Sequence, residues 1–285
     1  MNANALAMLK GLLGGSGHSD DLIPFLSKKQ AEELPTIQVS HFSPRTFLSL
    51  TDWAEVIHFS WLSQTLKNYP PTAQALFLAV LPPSQREDTK KMLSITFEEK
   101  SVAPFLRPFL LDYLRTTVQE PDLVSFHNLP DSPLNVLLQI ERKELIHLAD
   151  LLGLYDLAAD LRQVVDKGLL GKIYKALNTQ QLHFLHYCSK QPLKWVSAKL
   201  GLQAWDGSKK QLNHLLHFRG LVRIAKAIYP ENTHFKWHLL HRLDTGRAKV
   251  IQKELYNKQD PALYSYFRNQ VLHVAKRYLH SEKVS

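Results

Sequence analysis

The chain has 285 residues, of which 45% are apolar, with 35 Lys+Arg against 26 Asp+Glu and a single cysteine. This composition excludes a disordered chain, an intramolecular disulfide framework and a thiolate-built metal centre, and no run of about 18 uninterrupted apolar residues offers a membrane span. Charge is unevenly spread: residues 1–160 hold 13 Lys+Arg against 19 Asp+Glu, and residues 161–285 hold 22 against 7. Such a field steers the C-terminal part toward anionic surfaces and the N-terminal part toward neutral or basic ones.

The opening segment MNANALAMLKGLLGGSG lacks a basic n-region and is interrupted by Lys10, so export is not expected and a cytoplasmic location is, with contact to an inner membrane only through a complex. Residues 1–42 combine that segment with a Gly/Ser tract and a polar stretch and are expected to form a flexible arm. The stretch 43–120 reads as an N-terminal helical domain. Ser43-Pro44 offers an N-cap and an N1 proline, and Phe47, Leu50, Trp53, Ala54, Ile57, Trp61 and Leu62 recur at helical spacing, which predicts one long core-facing helix ended by Pro70-Pro71. Short helices follow over 73–81 and 84–93, the second opened by a Ser84/Glu87 capping box, and another over 104–118. The Pro-punctuated run 121–133 reads as a linker; Ser132-Pro133 restarts a helix through Leu152, and connecting helices fill 134–177.

Asn178 with Gln181 opens a helix that turns Leu182, Leu185 and Cys188 inward, and further helices are predicted over 192–200 and 208–219. Beyond Gly220, residues 221–229 stay apolar but lose a single helical face. Pro230-Glu231-Asn232 supplies turn chemistry and 234–240 partly alternates, which predicts a short β-hairpin. Helices resume over 246–257 and 261–280, leaving 259–285 as a C-terminal helix. The expected fold is therefore mainly α, a multi-helix N-terminal unit followed by a basic segment 178–258 that resembles a winged-helix domain. On its third helix Leu212, Leu215 and Leu216 share one side, while Lys210, His214 and His217 share the other. As a nucleic-acid binder it would present Lys210, Asn213, His214 and His217 to base edges, with Lys226 and Lys236 on a wing against phosphate. The Trp205-Asp206-Gly207 corner makes the preceding connection longer than a helix-turn-helix turn, and winged helices also serve as protein-binding modules.

The segments WDGSKKQLNHLLHFRGLVRIAKAIYP and HFKWHLLHRLDTGRAKVI carry a second likeness. Residues 130–255 resemble a small family of cytoplasmic proteins encoded among the type III secretion components of chlamydia-like bacteria, most clearly at Trp205-Asp206-Gly207 and at 243–247. The resemblance includes no catalytic signature. It implies a scaffold at the cytoplasmic base of the apparatus, with one face for a membrane-ring component and another for a platform protein. In that role Arg219, Arg223, Lys226, Arg242, Arg247, Lys249 and Lys253 are the candidate contacts to an acidic partner surface.

Catalytic chemistry finds little support in the residues. The pairs His183/His186 and His214/His217 and the set His234/His238/His241 have helix-compatible spacing for zinc, but 14 histidines in a basic chain produce such spacings by chance, and an extended 234–240 would break the last one. Cys188 points away from His183 and His186 on one helix and reads as a small buried hydrophobe. The Gly/Ser tract lacks the lysine and spacing of a phosphate loop, and Asp150, Asp156, Asp160 and Asp166 read as solvated helix faces beside Arg162 and Lys167. No cofactor, metal or catalytic pair is expected. The leading expectation is a non-enzymatic adaptor, with a winged-helix nucleic-acid-binding protein as the alternative and an enzyme of another type as a third reading.

Overall fold

Backbone geometry in the computed structural model is described for residues 50–95, 102–120, 122–192, 195, 199–257 and 260–281. The expected arm and the Ser43-Pro44 cap lie outside these. The chain divides at Pro130/Asp131 into two units. Among the described residues every regular element is helical, which agrees with the expected mainly α class.

The first unit holds α1 (Leu50–Val56), α2 (Phe59–Leu66), α3 (Pro71–Val80), α4 (Pro83–Leu93) and α5 (Leu106–Val118). The predicted single helix through Leu62 is broken at Ile57-His58. His58 adopts extended backbone and its Nδ1 accepts from the Ser60 amide at 3.1 Å, capping α2 with a ring instead of a hydroxyl. The carbonyls freed at the break are taken by Gln85, whose Nε2 donates to Ile57 at 2.9 Å and to Glu55 at 3.3 Å. The Ser84/Glu87 box is not formed, because α4 starts one residue earlier with Pro83 at its first position. Ala54, Ile57, Leu62, Leu66, Leu78, Leu81 and Leu114 bury against one another, since α1, α2 and α3 each pack on α5.

The second unit contains a 3-10 helix (Pro133–Leu138), α6 (Arg142–Leu161), α7 (Lys167–Ala176), α8 (Thr179–Ser189), a 3-10 turn (Leu202–Ala204), α9 (Lys209–Ile228), α10 (Thr233–Arg242), α11 (Thr245–Leu255), a second 3-10 turn (Pro261–Leu263) and α12 (Tyr264–Ser281). Segments expected to be separate, 134–177, 178–258 and 259–285, pack as one unit around the pair α6 and α9. Glycines allow that pair its close approach. A Cβ on Gly153 would stand 2.0 Å from the Leu216 carbonyl oxygen, and one on Gly220 would stand 1.7 Å from that of Ala149. α8 lies on α6, α12 on both α6 and α9, and α11 on α9.

The hairpin is the main correction. Residues 221–228 continue α9, and 234–240 lie within α10, so the wing is absent and the third helix does not stop at Arg219. The single apolar face disappears because this part of α9 is surrounded: Gly220 to Ala225, Ala227 and Ile228 are all buried. Asn232, read as a turn residue, is the N-cap of α10 and accepts from the His234 amide at 2.7 Å. The helix predicted from Ser132 to Leu152 is also divided. Ser132 caps the 3-10 helix, and α6 then restarts with a Glu141/Glu144 capping box. Of the helix expected over 192–200, Pro192, Trp195, Lys199 and Leu200 are not helical and the other residues lie outside those described. The Asn178/Gln181 box forms as expected, with reciprocal bonds of 2.8 and 2.9 Å.

Candidate partner-binding face of the C-terminal unit

The start of α9 is held by the Trp205-Asp206-Gly207 corner. Trp205 is buried and its Nε1 donates to the Ser208 carbonyl at 3.0 Å, Asp206 accepts from the Ser208 amide at 2.7 Å, and Gly207 supplies a φ of +83°. Ser208 then caps α9 by accepting from the Gln211 amide at 3.1 Å. These residues build a turn, and Asp244 likewise caps α11, accepting from the Gly246 and Arg247 amides at 3.0 and 3.1 Å.

The residues expected to meet nucleic acid do not form one face. Lys210 and His214 are exposed on the first turns of α9, but Asn213 is half-buried with its Oδ1 enclosed. His217 turns toward α6 and α11. Its Nδ1 meets Asp150 Oδ1 at 2.6 Å and its Nε2 accepts from Arg247 Nε at 2.8 Å. Since an arginine only donates, this network places the imidazole proton on Nδ1. Lys236 donates to the Tyr229 carbonyl at 2.6 Å and lies over the Tyr229 ring, with burial lowering its pKa.

The seven cations expected to meet a partner separate into structural and exposed groups. Arg223 is only 1% exposed: it pairs with Asp156, equally buried, donates to Gln270 and lies 5.3 to 5.7 Å from the ring centres of Tyr155, Trp195 and Phe267. It is therefore an internal strut between α9, α6 and α12 and not a contact residue. Arg242 also works inward, closing the 3-10 helix through the carbonyls of Leu137, at 2.9 Å, and Ile140; burial and then the Arg142 charge lower its pKa to about 10. Lys226 bridges to Glu254 at 2.8 Å, Arg219 donates to the Lys199 carbonyl at 3.1 Å, and Arg247 joins Asp244 to His217.

Lys249 and Lys253 differ. Both are exposed on α11, whose opposite side buries Ala248 and Ile251, and neither forms an ion pair among the described residues. Tyr256, one turn beyond Lys253, is 91% exposed. Lys249, Lys253 and Tyr256 thus form a basic stripe ending in an aromatic ring. Tyr256 was missed from sequence because an aromatic at a helix end ordinarily signals packing.

Of the four acidic residues expected on solvated faces only Asp166 is exposed. Asp156 is buried opposite Arg223, Asp160 accepts from the Leu200 amide at 2.6 Å, and Asp166 caps α7. Asp150 stands between His147 and His217. Burial raises its carboxyl, but His147, whose Nδ1 stands 3.8 Å from Oδ2, and the hydrogen-bonded His217 outweigh this and leave it below the usual range; the neighbouring Asp150 carboxylate in turn raises His147. The arrangement resembles an acid–base pair, but Arg247 occupies the outer nitrogen of His217, so this imidazole staples α6, α9 and α11. Cys188 is enclosed, and burial pushes its thiol up to about 12, the reverse of an activated nucleophile. No helix among the described residues is long and apolar enough to cross a membrane. Comparison of the chain with protein-family models, curated proteins and solved structures finds no match.

Proposed function

We propose that this protein is a non-enzymatic adaptor at the cytoplasmic base of a bacterial type III secretion apparatus, and that α11 of the C-terminal unit meets an acidic surface of a partner protein. One observation carries this reading: Lys249 and Lys253 point outward along α11 and Tyr256 stands exposed at its end, whereas on the would-be recognition helix Asn213 is half-buried and His217 is drawn into bonds with Asp150 and Arg247. The two ammonium groups steer the encounter and select the partner, and Tyr256 supplies the apolar contact that a lasting interface needs. The likeness over residues 130–255 supplies the setting.

The test is native purification from the source cells, with and without nuclease, followed by mass spectrometry and nucleic-acid staining. Nuclease-resistant recovery of secretion-ring or platform proteins is expected, lost in the Lys249→Glu/Lys253→Glu variant and kept in Lys210→Glu/His214→Glu. Recovery of nucleic acid alone, falling steeply with salt and abolished by the second variant, would overturn the proposal in favour of nucleic-acid binding.

A further inference from the structure

A second feature of the C-terminal unit has no part in that reading. A half-open cavity of about 260 Å³ lies between α8, the Pro261–Leu263 turn and α12, walled by Tyr187, Tyr266 and His273 and by the amides of Gln191, Asn269 and Gln270. None of its lining residues is Asp, Glu, Lys or Arg, although residues 131–285 hold 24 Lys+Arg against 13 Asp+Glu. The rings of Tyr187 and His273 stack at 4.5 Å with 11° between their planes. Arg223 already occupies the Gln270 oxygen, so the amide nitrogen is the group Gln270 has left to offer. His273 Nε2 is buried with no hydrogen-bond partner. One turn further along α12 stand Lys276 and Arg277, both exposed, with the Arg277 guanidinium 4.8 Å from the Phe184 ring centre. Three and four residues beyond His273 on the same helix, Lys276 and Arg277 stand on the neighbouring turn above it, and burial, then the charges of Arg277 and Lys276, hold His273 below its usual pKa.

We propose that this cavity is a nucleotide subsite: it takes a neutral heterocyclic base against Tyr187, Tyr266 and the amide groups, while the attached phosphate meets Lys276 and Arg277. Aromatic walls stack bases of any identity. The amides match the mixed donors and acceptors of a base edge, whereas a purely apolar ring would leave them and His273 Nε2 unpaired at a cost. The uncharged lining keeps the phosphate out of the interior and the cations at the rim receive it. At about 260 Å³ the cavity falls below the roughly 300–1,000 Å³ of sites that enclose a drug-sized ligand, which suits a ring held inside with its tail outside. The same chemistry belongs to a free nucleotide and to one residue of a single strand.

Isothermal titration of the full chain with AMP, GMP, CMP and UMP, with the corresponding nucleosides, with inorganic phosphate and with a five-nucleotide single-stranded RNA tests the assignment. At least one nucleotide is expected to bind, its nucleoside about tenfold more weakly, and phosphate alone not measurably. Lys276→Glu should weaken the nucleotide at least fivefold and leave the nucleoside unchanged, while Asn269→Leu, an exposed position, should weaken both. RNA binding more than tenfold tighter than the nucleotide identifies a strand as the natural source, and equal affinity identifies the free nucleotide; either result supports the subsite. No binding of any nucleotide at millimolar concentration, or binding indifferent to both variants, would overturn it. Circular dichroism of each variant separates loss of the site from loss of the fold.

Discussion

Replacing Gly220 by alanine probes the contact on which the C-terminal unit is built. In an open helix this change stabilises by up to about 1 kcal/mol, since alanine loses less backbone freedom on folding. At position 220 the new Cβ would stand 1.7 Å from the Ala149 carbonyl oxygen and 2.5 Å from its carbon, where ordinary contact begins near 3.4 Å. Neither atom is the end of a flexible side chain, so α6 and α9 must separate by more than an ångström over the stretch where Leu148, Leu152 and Leu216 are fully buried. A gap of about 0.5–1 Å already forfeits a quarter to a half of the dispersion attraction across it. We expect a net loss of about 3–5 kcal/mol, at the upper end of overpacking effects, and a fall in Tm of about 6–20 °C for a unit of this size. Thermal and urea unfolding followed by circular dichroism would measure it. Gly171→Ala on α7 is the control, because nothing lies within 4 Å of the place its methyl would take, and it should be neutral or stabilising by up to about 1 kcal/mol. If Gly220→Ala tracks Gly171→Ala, the close crossing of α6 and α9 is wrong.

The buried pair predicts strong coupling: Arg223→Met alone leaves Asp156 enclosed without its cation and should cost about 3–5 kcal/mol, whereas Arg223→Met with Asp156→Leu should recover most of it; additive losses in a urea double-mutant cycle would refute the pairing. His241, stacked on Trp237 at 3.8 Å, has its pKa lowered by burial to about 4. Its folded pKa is depressed, so the unfolded chain takes up the proton first as pH falls below about 6.5, and stability declines from there to about pH 4, by up to about 3 kcal/mol. His241→Phe should flatten that part of the pH profile, and an unchanged difference in urea midpoint between pH 7 and pH 4.5 would contradict the assignment. Cys188, with a pKa near 12, should react with a disulfide reagent such as DTNB only as the unit unfolds, and rapid labelling of the native protein would show that the thiol is accessible.

What was legible in the sequence was local. The Asn178/Gln181 box and the proline at the head of the 3-10 helix are each decided by a few adjacent residues, because a cap needs only one side chain and the amides two or three positions on, whereas Pro70-Pro71 open α3 and the helix before them ends at Leu66. Apolar spacing likewise determined the mainly helical class, and composition the lack of an intramolecular disulfide and the basic field of the C-terminal half. The errors share one physical origin. A helix surrounded by others has no polar face to set its period, so 221–228 lost the amphipathic signal and read as a strand. A charged residue in such a helix looks like a surface cation until its partner is known. Arg223 finds Asp156 from 67 positions away, and His217 finds Asp150 at the same separation. The sequence by itself determined many of the helices among the described residues and how strongly the C-terminal half is charged. Only the tertiary structure decided which cations remain outside, because that depends on two glycines letting α6 and α9 approach and on the buried carboxylates that this approach brings to Arg223 and His217.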